Sequence, residues 1–233
     1  MLTTLTPPGG GIPMWPVVAI VLLWLGFASS HLALSSLPVR QRLVARIGEP
    51  RFRGLYSLVA FAFFVPLVRI YFTHKHAGPV LWTVPPHPAV RWTVYAGMSV
   101  AFILLVASFV QPSPASVGGG NTRPRGILLV TRHPLLMALF VFGVVHLIPN
   151  GGASDVAYFA GFALFPLVGA WHQDRRKLAT MPEFRAFYER TPFFPFTGRQ
   201  TGRGLHELPI VAVGIALLVT ITIRYFHGRL FGG

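Results

Sequence analysis

Long apolar runs separated by short polar connections dominate the chain. Six runs have the character of membrane-spanning helices: 14–37, 55–72, 89–110, 134–148, 156–171 and 208–225. A spanning helix needs about 20 apolar residues, and the fourth and fifth runs reach that length only when neighbouring small and aliphatic residues are included. The pattern predicts an all-α fold: a polytopic integral membrane helical bundle of about six transmembrane helices, in a single domain over residues 1–233.

Composition supports lipid as the main solvent. The chain is 53% hydrophobic and 11% charged, with a mean hydropathy of +0.59. Soluble domains carry roughly a quarter charged residues, so this chain lacks the polar side chains that a water-facing surface needs. It contains no cysteine, which excludes disulfides, thiolate-bound metals and iron–sulfur clusters. A metal site would have to use His, Asp, Glu, Met or backbone oxygens.

The net charge of +14 first suggests nucleic acid as a partner, but the distribution of the basic residues argues against it. Fifteen of the 20 lie in alternate connections, after the first, third and fifth runs. This asymmetry places those three connections in the cytoplasm and both termini outside, with membrane lipid as the partner and no nucleic acid. The last connection mixes charge with aromatic residues, which predicts a short helix at the headgroups.

The N-terminal segment has no basic stretch before the first apolar run. A cleaved signal peptide normally begins with such a stretch. We therefore expect the first run to remain in the protein as a transmembrane helix.

Two of the nine histidines, His31 and His146, lie inside apolar runs. Neutral imidazole is the commonest metal ligand, and polar side chains within spans are often functional. His31 precedes Arg40 by nine residues, about 13 Å of helix, and His146 follows Arg132 by fourteen, about 21 Å. Their depths differ by roughly 8 Å, which tilted helices tolerate on either side of a flat ligand such as haem. Interhelical hydrogen bonds are the alternative, and at this stage both remain open.

The stretch Thr-Arg-His-Pro opens the fourth run, with His133 in front of a helix-starting proline. His133 and His146 are about 220° apart around a regular helix, so they cannot both ligate one metal. We expect His133 to face the surface or to support a ligand indirectly. Arg132 at the helix start suits an anion, namely a haem propionate, a phospholipid phosphate or a nucleotide phosphate. The alternative is an arginine that extends to lipid phosphate.

The remaining polar residues suggest simpler roles. His74 and His76 lie at the outer end of the second run, as interfacial anchors. His172 is expected to start a cytoplasmic connection beside Asp174, at a solvated helix end. None of the six acidic residues lies deep in a predicted span, and GxSxG, GxxxxGK[ST] and HExxH are absent. A hydrolase, a P-loop enzyme, a zinc protease and a carboxylate-coupled transporter are therefore unsupported.

Six segments occur in a characteristic order along the chain: SHLALSS, RIGEPRFRGLYSLV, YFTHKHAG followed by LW, VTRHPLLMALFVFGVVHL, GAW with DRRK, and RTPFFPF ending in GR. In this order they resemble the NnrU family, which includes the membrane 15-cis-zeta-carotene isomerases. The resemblance implies a helical bundle in a bacterial inner membrane, with haem b held by two histidines. His31 and His146 match the axial positions, and His74 and His133 match two further histidines of the isomerases. It also implies a lipophilic substrate whose central cis double bond is isomerised without net oxidation.

Two other functions stay open. The bacterial branch of the family is linked to nitric oxide and nitrate respiration, which suggests a non-enzymatic haem-binding accessory or sensor protein in denitrification. Isoprenylcysteine carboxyl methyltransferases also carry Arg-His-Pro at a helix start, which suggests a membrane methyltransferase. Here Arg132-His133-Pro134 is followed by LLMALF, without the Tyr-x-Gly of that family. The sequence identifies no redox partner.

Overall fold

The computed structural model describes residues 13–116, 119 and 122–232. Ten helices occur in this part of the chain. They are α1 (Trp15–Ser35), α2 (Leu37–Ile47), α3 (Glu49–Thr73), α4 (Pro88–Val110), α5 (Ile127–Val130), α6 (Pro134–Leu147), α7 (Ala153–Thr180), α8 (Phe184–Arg190), α9 (Thr201–His206) and α10 (Ile210–Phe231). The interpretation of the N-terminal segment falls mainly on residues 1–12, which lie outside the described residues.

Five helices, namely α1, α3, α4, α7 and α10, are long and apolar enough to cross a membrane. The remaining predicted span, the fourth run, is α6, an apolar helix of 14 residues that is shorter than a full crossing. The prediction of an all-α polytopic membrane bundle is thus confirmed, with five full-length candidate spans and one shorter helix. Proline occupies the first turn of five helices, where its missing N–H and fixed φ suit a helix start.

The long helices pack in the order α10, α4, α6, α7, α1, α3, so α6 and α7 form the centre. One core cluster joins α4, α6, α7 and α8 and includes Leu104, Met137 and Phe184. A second joins α1, α3 and α7 around Trp24 and Tyr158, and the Trp24 indole N–H donates to the Tyr158 carbonyl at 3.1 Å. The second cluster lies next to both candidate histidines.

The three basic connections meet at one end of the bundle, the arginine-rich end. There Arg132 pairs with Asp174, and the Gly126 N–H donates to the Glu207 carboxylate at 3.0 Å. At the opposite end, the segment after α3 pairs with the start of α7 through the backbone bridge between Val80 and Gly152. The charge pattern therefore predicted correctly that the basic connections share one end. Which membrane face that end occupies stays a prediction.

Two expectations about the last basic connection need correction. The fifth run was expected to end at residue 171, but α7 continues to Thr180, so the DRRK segment is helical. The predicted short helix exists as α8, but Phe184 and Phe187 on it are fully buried against protein. The apolar face of α8 thus packs on the bundle and does not lie among lipid headgroups.

Close packing of α6 on α7 depends on Gly143. A Cβ there would lie 2.6 Å from the Ala163 nitrogen and 2.7 Å from the Phe159 carbonyl oxygen, and backbone atoms cannot rotate away. We expect Gly143→Ala to lower the free energy of unfolding by about 1–3 kcal/mol, because the two helices must separate. Reversible unfolding in mixed detergent measures this change. Gly169→Ala on α7, where the added methyl group meets nothing within 4 Å, is the matched control and should be neutral or stabilising. Equal losses in both variants would contradict the packing argument.

Glu207 lies in the connection before α10, and its hydrogen bonds make the stability of this region dependent on pH. Its carboxylate accepts the Gly126 N–H and the Arg203 Nε–H, and these bonds hold the pKa of Glu207 below its usual value of 4.5. A carboxyl group whose pKa is lower in the folded than in the unfolded protein stabilises the fold at pH values above its unfolded-state pKa. That stabilisation is lost as the pH falls through its folded-state pKa. We expect the difference in Tm between the protein and Glu207→Gln to shrink below about pH 4.5. A difference that stays constant from neutral pH to pH 3 would contradict this.

Candidate cofactor site

His31 sits on α1 with its ring nitrogens in fixed roles. Its Nδ1 is 2.9 Å from the Phe27 carbonyl oxygen, one turn earlier. A carbonyl only accepts, so Nδ1 carries the proton and Nε2 of the neutral ring keeps its lone pair. The ring contacts Phe27, Tyr56 and Phe165, at centroid distances of 4.0, 4.9 and 5.4 Å. His31 therefore offers a free Nε2 within an aromatic environment.

His146 on α6 repeats this arrangement. Its Nδ1 is 2.8 Å from the Phe142 carbonyl oxygen, again one turn earlier. Its ring stacks on Phe159 at 4.8 Å and 20°, and lies 4.3 Å from Phe142. Among the described residues, neither Nε2 makes a hydrogen bond. Metal-ligating histidines typically bond through one nitrogen to a carbonyl or carboxylate and bind the metal through the other, as these two rings could.

The two histidines contact the same helix at different heights. His146 meets Phe159 and His31 meets Phe165, six residues apart on α7, which corresponds to about 9 Å. The depth argument from sequence gave roughly 8 Å, so the two agree. Phe162 lies between these heights on α7 and contacts Trp24, Phe64 and Phe142.

An apolar cleft of about 270 Å³ lies beside α7 at Phe162, Phe165 and Pro166, so it is closer to the height of His31 than to that of His146. Its walls come from α1, α3, α6 and α7: Trp24, Phe27, Ala60, Phe61, Phe64, Leu139, Phe162, Phe165 and Pro166. Phe27 and Phe165 also contact His31, while Phe162 contacts Phe142, the neighbour of His146. Neither histidine lines the cleft itself. Two neutral imidazoles with free Nε2 atoms, connected through aromatic rings to one apolar cleft, nevertheless have the chemistry of a donor set for haem.

Arg132 and His133 lie in a separate, buried cluster at the arginine-rich end. Arg132 Nε donates to Asp174 at 2.9 Å and its Nη1 donates to the Thr191 carbonyl at 2.8 Å. His133 Nε2 lies 2.9 Å from the other Asp174 oxygen. His133 is 3% exposed and Arg132 is 6% exposed, so the expectations of a surface-facing histidine and a lipid-reaching arginine are wrong. The reason is the extra length of α7, which brings Asp174 opposite them.

This cluster borders a second cleft of about 360 Å³. Its walls include Trp171, Arg175 and Phe194, and the Arg132 guanidinium lies 4.2 Å from the centre of the Tyr188 ring. Arg132 thus faces an aromatic cleft while its charge is balanced by Asp174. Neither Arg132 nor His133 lines the cleft between His31 and His146.

His74 lies at the opposite end of α3, away from His31. Its Nδ1 is 3.2 Å from the Ile70 carbonyl oxygen, and its ring meets Trp15 edge-on at 4.6 Å. The next histidine, His76, bonds through Nδ1 to Asp155 at 2.7 Å. Both histidines anchor this end of the bundle, but His76 does so through a buried carboxylate, which the sequence pattern did not reveal.

Asp155 is fully buried in the first turn of α7, where its charge suits the helix N-terminus. The Tyr71 hydroxyl donates to it at 3.1 Å. Tyr71 stacks on Tyr158 at 3.8 Å and meets Phe159, the ring that stacks on His146. The sequence pattern did not reveal this group; the available signal was an acidic residue directly before a predicted span.

Comparison with known proteins places the site in context. The NnrU protein family model matches residues 19–233. The chloroplastic 15-cis-zeta-carotene isomerase of Arabidopsis thaliana is 28% identical over 193 residues, which is 81% of this chain and 52% of the relative. The isomerase of the same name from Zea mays is 27% identical over 190 residues, 80% of this chain and 51% of the relative. The chain thus spans about half the length of these relatives, and no solved structure matches it. Since the family match covers nearly the whole chain, the protein belongs to the NnrU family.

Proposed function

We propose that this protein is a haem b-binding membrane enzyme that isomerises a cis double bond in a lipophilic polyene such as zeta-carotene. His31 and His146 are the residues that would hold the haem iron. The observation that carries the proposal is their shared geometry: each Nδ1–H is held by a carbonyl of its own helix, and each Nε2 is without a hydrogen-bond partner among the described residues. Aromatic rings connect both histidines to one apolar cleft, since Phe165 meets His31 and Phe162 meets Phe142 beside His146. The likeness to two zeta-carotene isomerases supports the polyene as substrate class.

Different residues of the chain would orient the histidines and line the substrate site. The Phe27 and Phe142 carbonyls fix the tautomer and orientation of the two imidazoles, which leaves each Nε2 to bind iron. Bound haem supplies an iron centre that, when reduced, can shift electron density onto a conjugated chain without net oxidation. The aromatic walls around Trp24, Phe64 and Phe162 exclude water and contact the polyene.

The substrate class follows from the cleft. Among the described residues, its lining consists of aromatic, aliphatic and proline side chains, and the Trp24 N–H is already bonded to the Tyr158 carbonyl. This lining therefore offers neither a hydrogen bond nor a charge to a bound molecule. A carotene hydrocarbon needs neither, and it reaches the cleft from the lipid that surrounds the bundle. We further propose that the protein lies in the bacterial inner membrane as a multi-pass protein with its basic connections in the cytoplasm.

The test is turnover of a 15-cis polyene by purified, haem-loaded protein in detergent or liposomes. We expect the 15-cis isomer of zeta-carotene to disappear only after the protein is reduced with dithionite. Chromatographic separation of the isomers measures this loss. His206→Ala, at an exposed position on α9, is the control that should turn over normally.

Other outcomes would point elsewhere. Haem binding without turnover would contradict the isomerase and favour the non-enzymatic accessory or sensor protein. A protein that binds S-adenosylmethionine and no haem would favour the methyltransferase, whose Arg-His-Pro stretch borders the second cleft.

A further inference from the structure

Three cationic side chains lie close to one another at the arginine-rich end. Arg40 comes from α2, and Arg176 and Lys177 come from α7; all three interact electrostatically with one another despite their like charge. Two acids are within reach: Glu49 accepts from Arg40 at 2.7 Å, and Glu183 interacts with Lys177. Glu49 is also shared with Arg53 at 3.0 Å. The cluster therefore holds an excess of positive charge.

Aromatic contacts join this cluster to His31. The Arg40 guanidinium lies 5.5 Å from the centre of the Phe52 ring, which is 6.2 Å from Tyr56. Tyr56 in turn meets His31 edge-on at 4.9 Å and interacts electrostatically with Arg176. The aromatic rings of Phe52 and Tyr56 thus lie between the cationic cluster and the His31 ring.

The rotation of residues around α7 also connects His31 with Arg176. Phe165, which contacts His31, shares one helix face with positions 172 and 176, since 7 and 11 residues correspond to about 700° and 1100° of rotation. The Nε2 of His172 is buried without a hydrogen-bond partner among the described residues. His172 is therefore not the solvated helix end expected from sequence. Buried polar atoms without partners are uncommon, and this one lies on the face that joins His31 to Arg176.

We propose that Arg176 and Lys177 bind the propionate carboxylates of the haem held by His31, with His172 Nε2 as an additional hydrogen-bonding group. Arg40 adds positive charge to the cluster, but its guanidinium is already paired with Glu49. This inference rests on the proposed function. Carboxylates are the complement that a partly buried set of cations lacks, and charge-assisted bonds to them are the strong ones. Arg132, the propionate partner expected from sequence, is already bonded to Asp174 and Thr191.

The experiment compares haem with haem dimethyl ester, in which both carboxylates are blocked, in reconstitution of the apoprotein. We expect the protein to bind haem at least about tenfold more tightly than the ester, because charge-assisted bonds are lost in the ester. The double variant Arg176→Gln/Lys177→Gln should lose this preference. Arg176→Lys should retain most of it, because it keeps the charge.

The matched control is Arg185→Gln on α8, an exposed cation at the same end of the bundle whose side chain is 70% exposed. It removes one positive charge and should keep the full preference for haem. The reduction potential gives a second readout. We expect it to fall in the double variant and to stay unchanged in the control, since nearby cations disfavour the more positive oxidised iron.

The outcomes separate the two proposals. Equal binding of haem and ester by the unaltered protein would overturn the propionate assignment while leaving haem binding intact. Failure to bind either molecule would overturn both. Stabilisation of the apoprotein by phosphatidylglycerol vesicles that is lost in the double variant, together with equal binding of haem and ester, would assign the cluster to a lipid headgroup and overturn the assignment to propionates.

Discussion

Replacing His31 or His146 by alanine is expected to remove most of the bound haem from the purified protein, with at least about a tenfold fall in the haem-to-protein ratio. Each substitution deletes a free Nε2, and in the described part of the chain no second imidazole makes a ring contact with either histidine. Pyridine haemochrome absorbance against protein concentration measures the ratio. Added imidazole should restore part of the haem, because a small ligand can occupy the space left by the side chain.

The control for this prediction is His206→Ala, which changes an exposed histidine of α9 and should keep haem in full. His133→Ala should also keep haem, since His133 Nε2 is bonded to Asp174 and not free. It should weaken activity through the loss of packing at the arginine-rich end. Full haem retention in both alanine variants of His31 and His146 would end their assignment as axial ligands.

Asp174→Ala is expected to cause the largest loss of stability. Asp174 is 4% exposed and bonds both Arg132 and His133, so its removal leaves a buried guanidinium without its carboxylate. Breaking a buried ion pair from one side typically costs about 3–5 kcal/mol. We expect a fall of that order in the free energy of unfolding, measured by reversible denaturation in mixed detergent, because the Thr191 carbonyl alone cannot balance the charge.

Two further variants show whether charge or packing is responsible. Glu189→Gln removes an exposed carboxylate that lies 3.9 Å from Arg185, and should change the free energy of unfolding by about 0–1 kcal/mol. The double variant Arg132→Met/Asp174→Leu removes both charges at similar volume and should recover much of the lost stability. If Asp174→Ala unfolds like the unaltered protein, the ion pair does not stabilise the bundle.

The sequence predicted the helical bundle well because membrane spans are encoded locally. Each apolar run must satisfy its own backbone hydrogen bonds in lipid, so length and hydropathy alone locate it. The same locality explains why His31 and His146 could be singled out: an imidazole within an apolar run is visible without knowledge of the neighbours. The distance of each histidine from the nearest charged boundary gave a difference in depth of roughly 8 Å. This is close to the separation of their contacts on α7.

The polar clusters could not be predicted in the same way, because their partners are far apart in the chain. Asp174 and Arg132 are separated by 42 residues, and Tyr71 and Asp155 by 84. The run DRRK has the composition of a solvated helix end, and only the continuation of α7 reveals that Asp174 points into the protein. His133 precedes the fourth apolar run, and from that position a surface location was expected. Its burial depends on Asp174, which the sequence pattern does not bring close to it.

The visible absorption spectrum of the purified protein, recorded oxidised and after reduction with dithionite, tests the central claim most directly. Two imidazoles on haem b predict a sharp Soret band and resolved α and β bands on reduction, with loss of these bands in the His31→Ala and His146→Ala variants. A protein that stays colourless after expression with added haem precursor, although folded, would contradict the account.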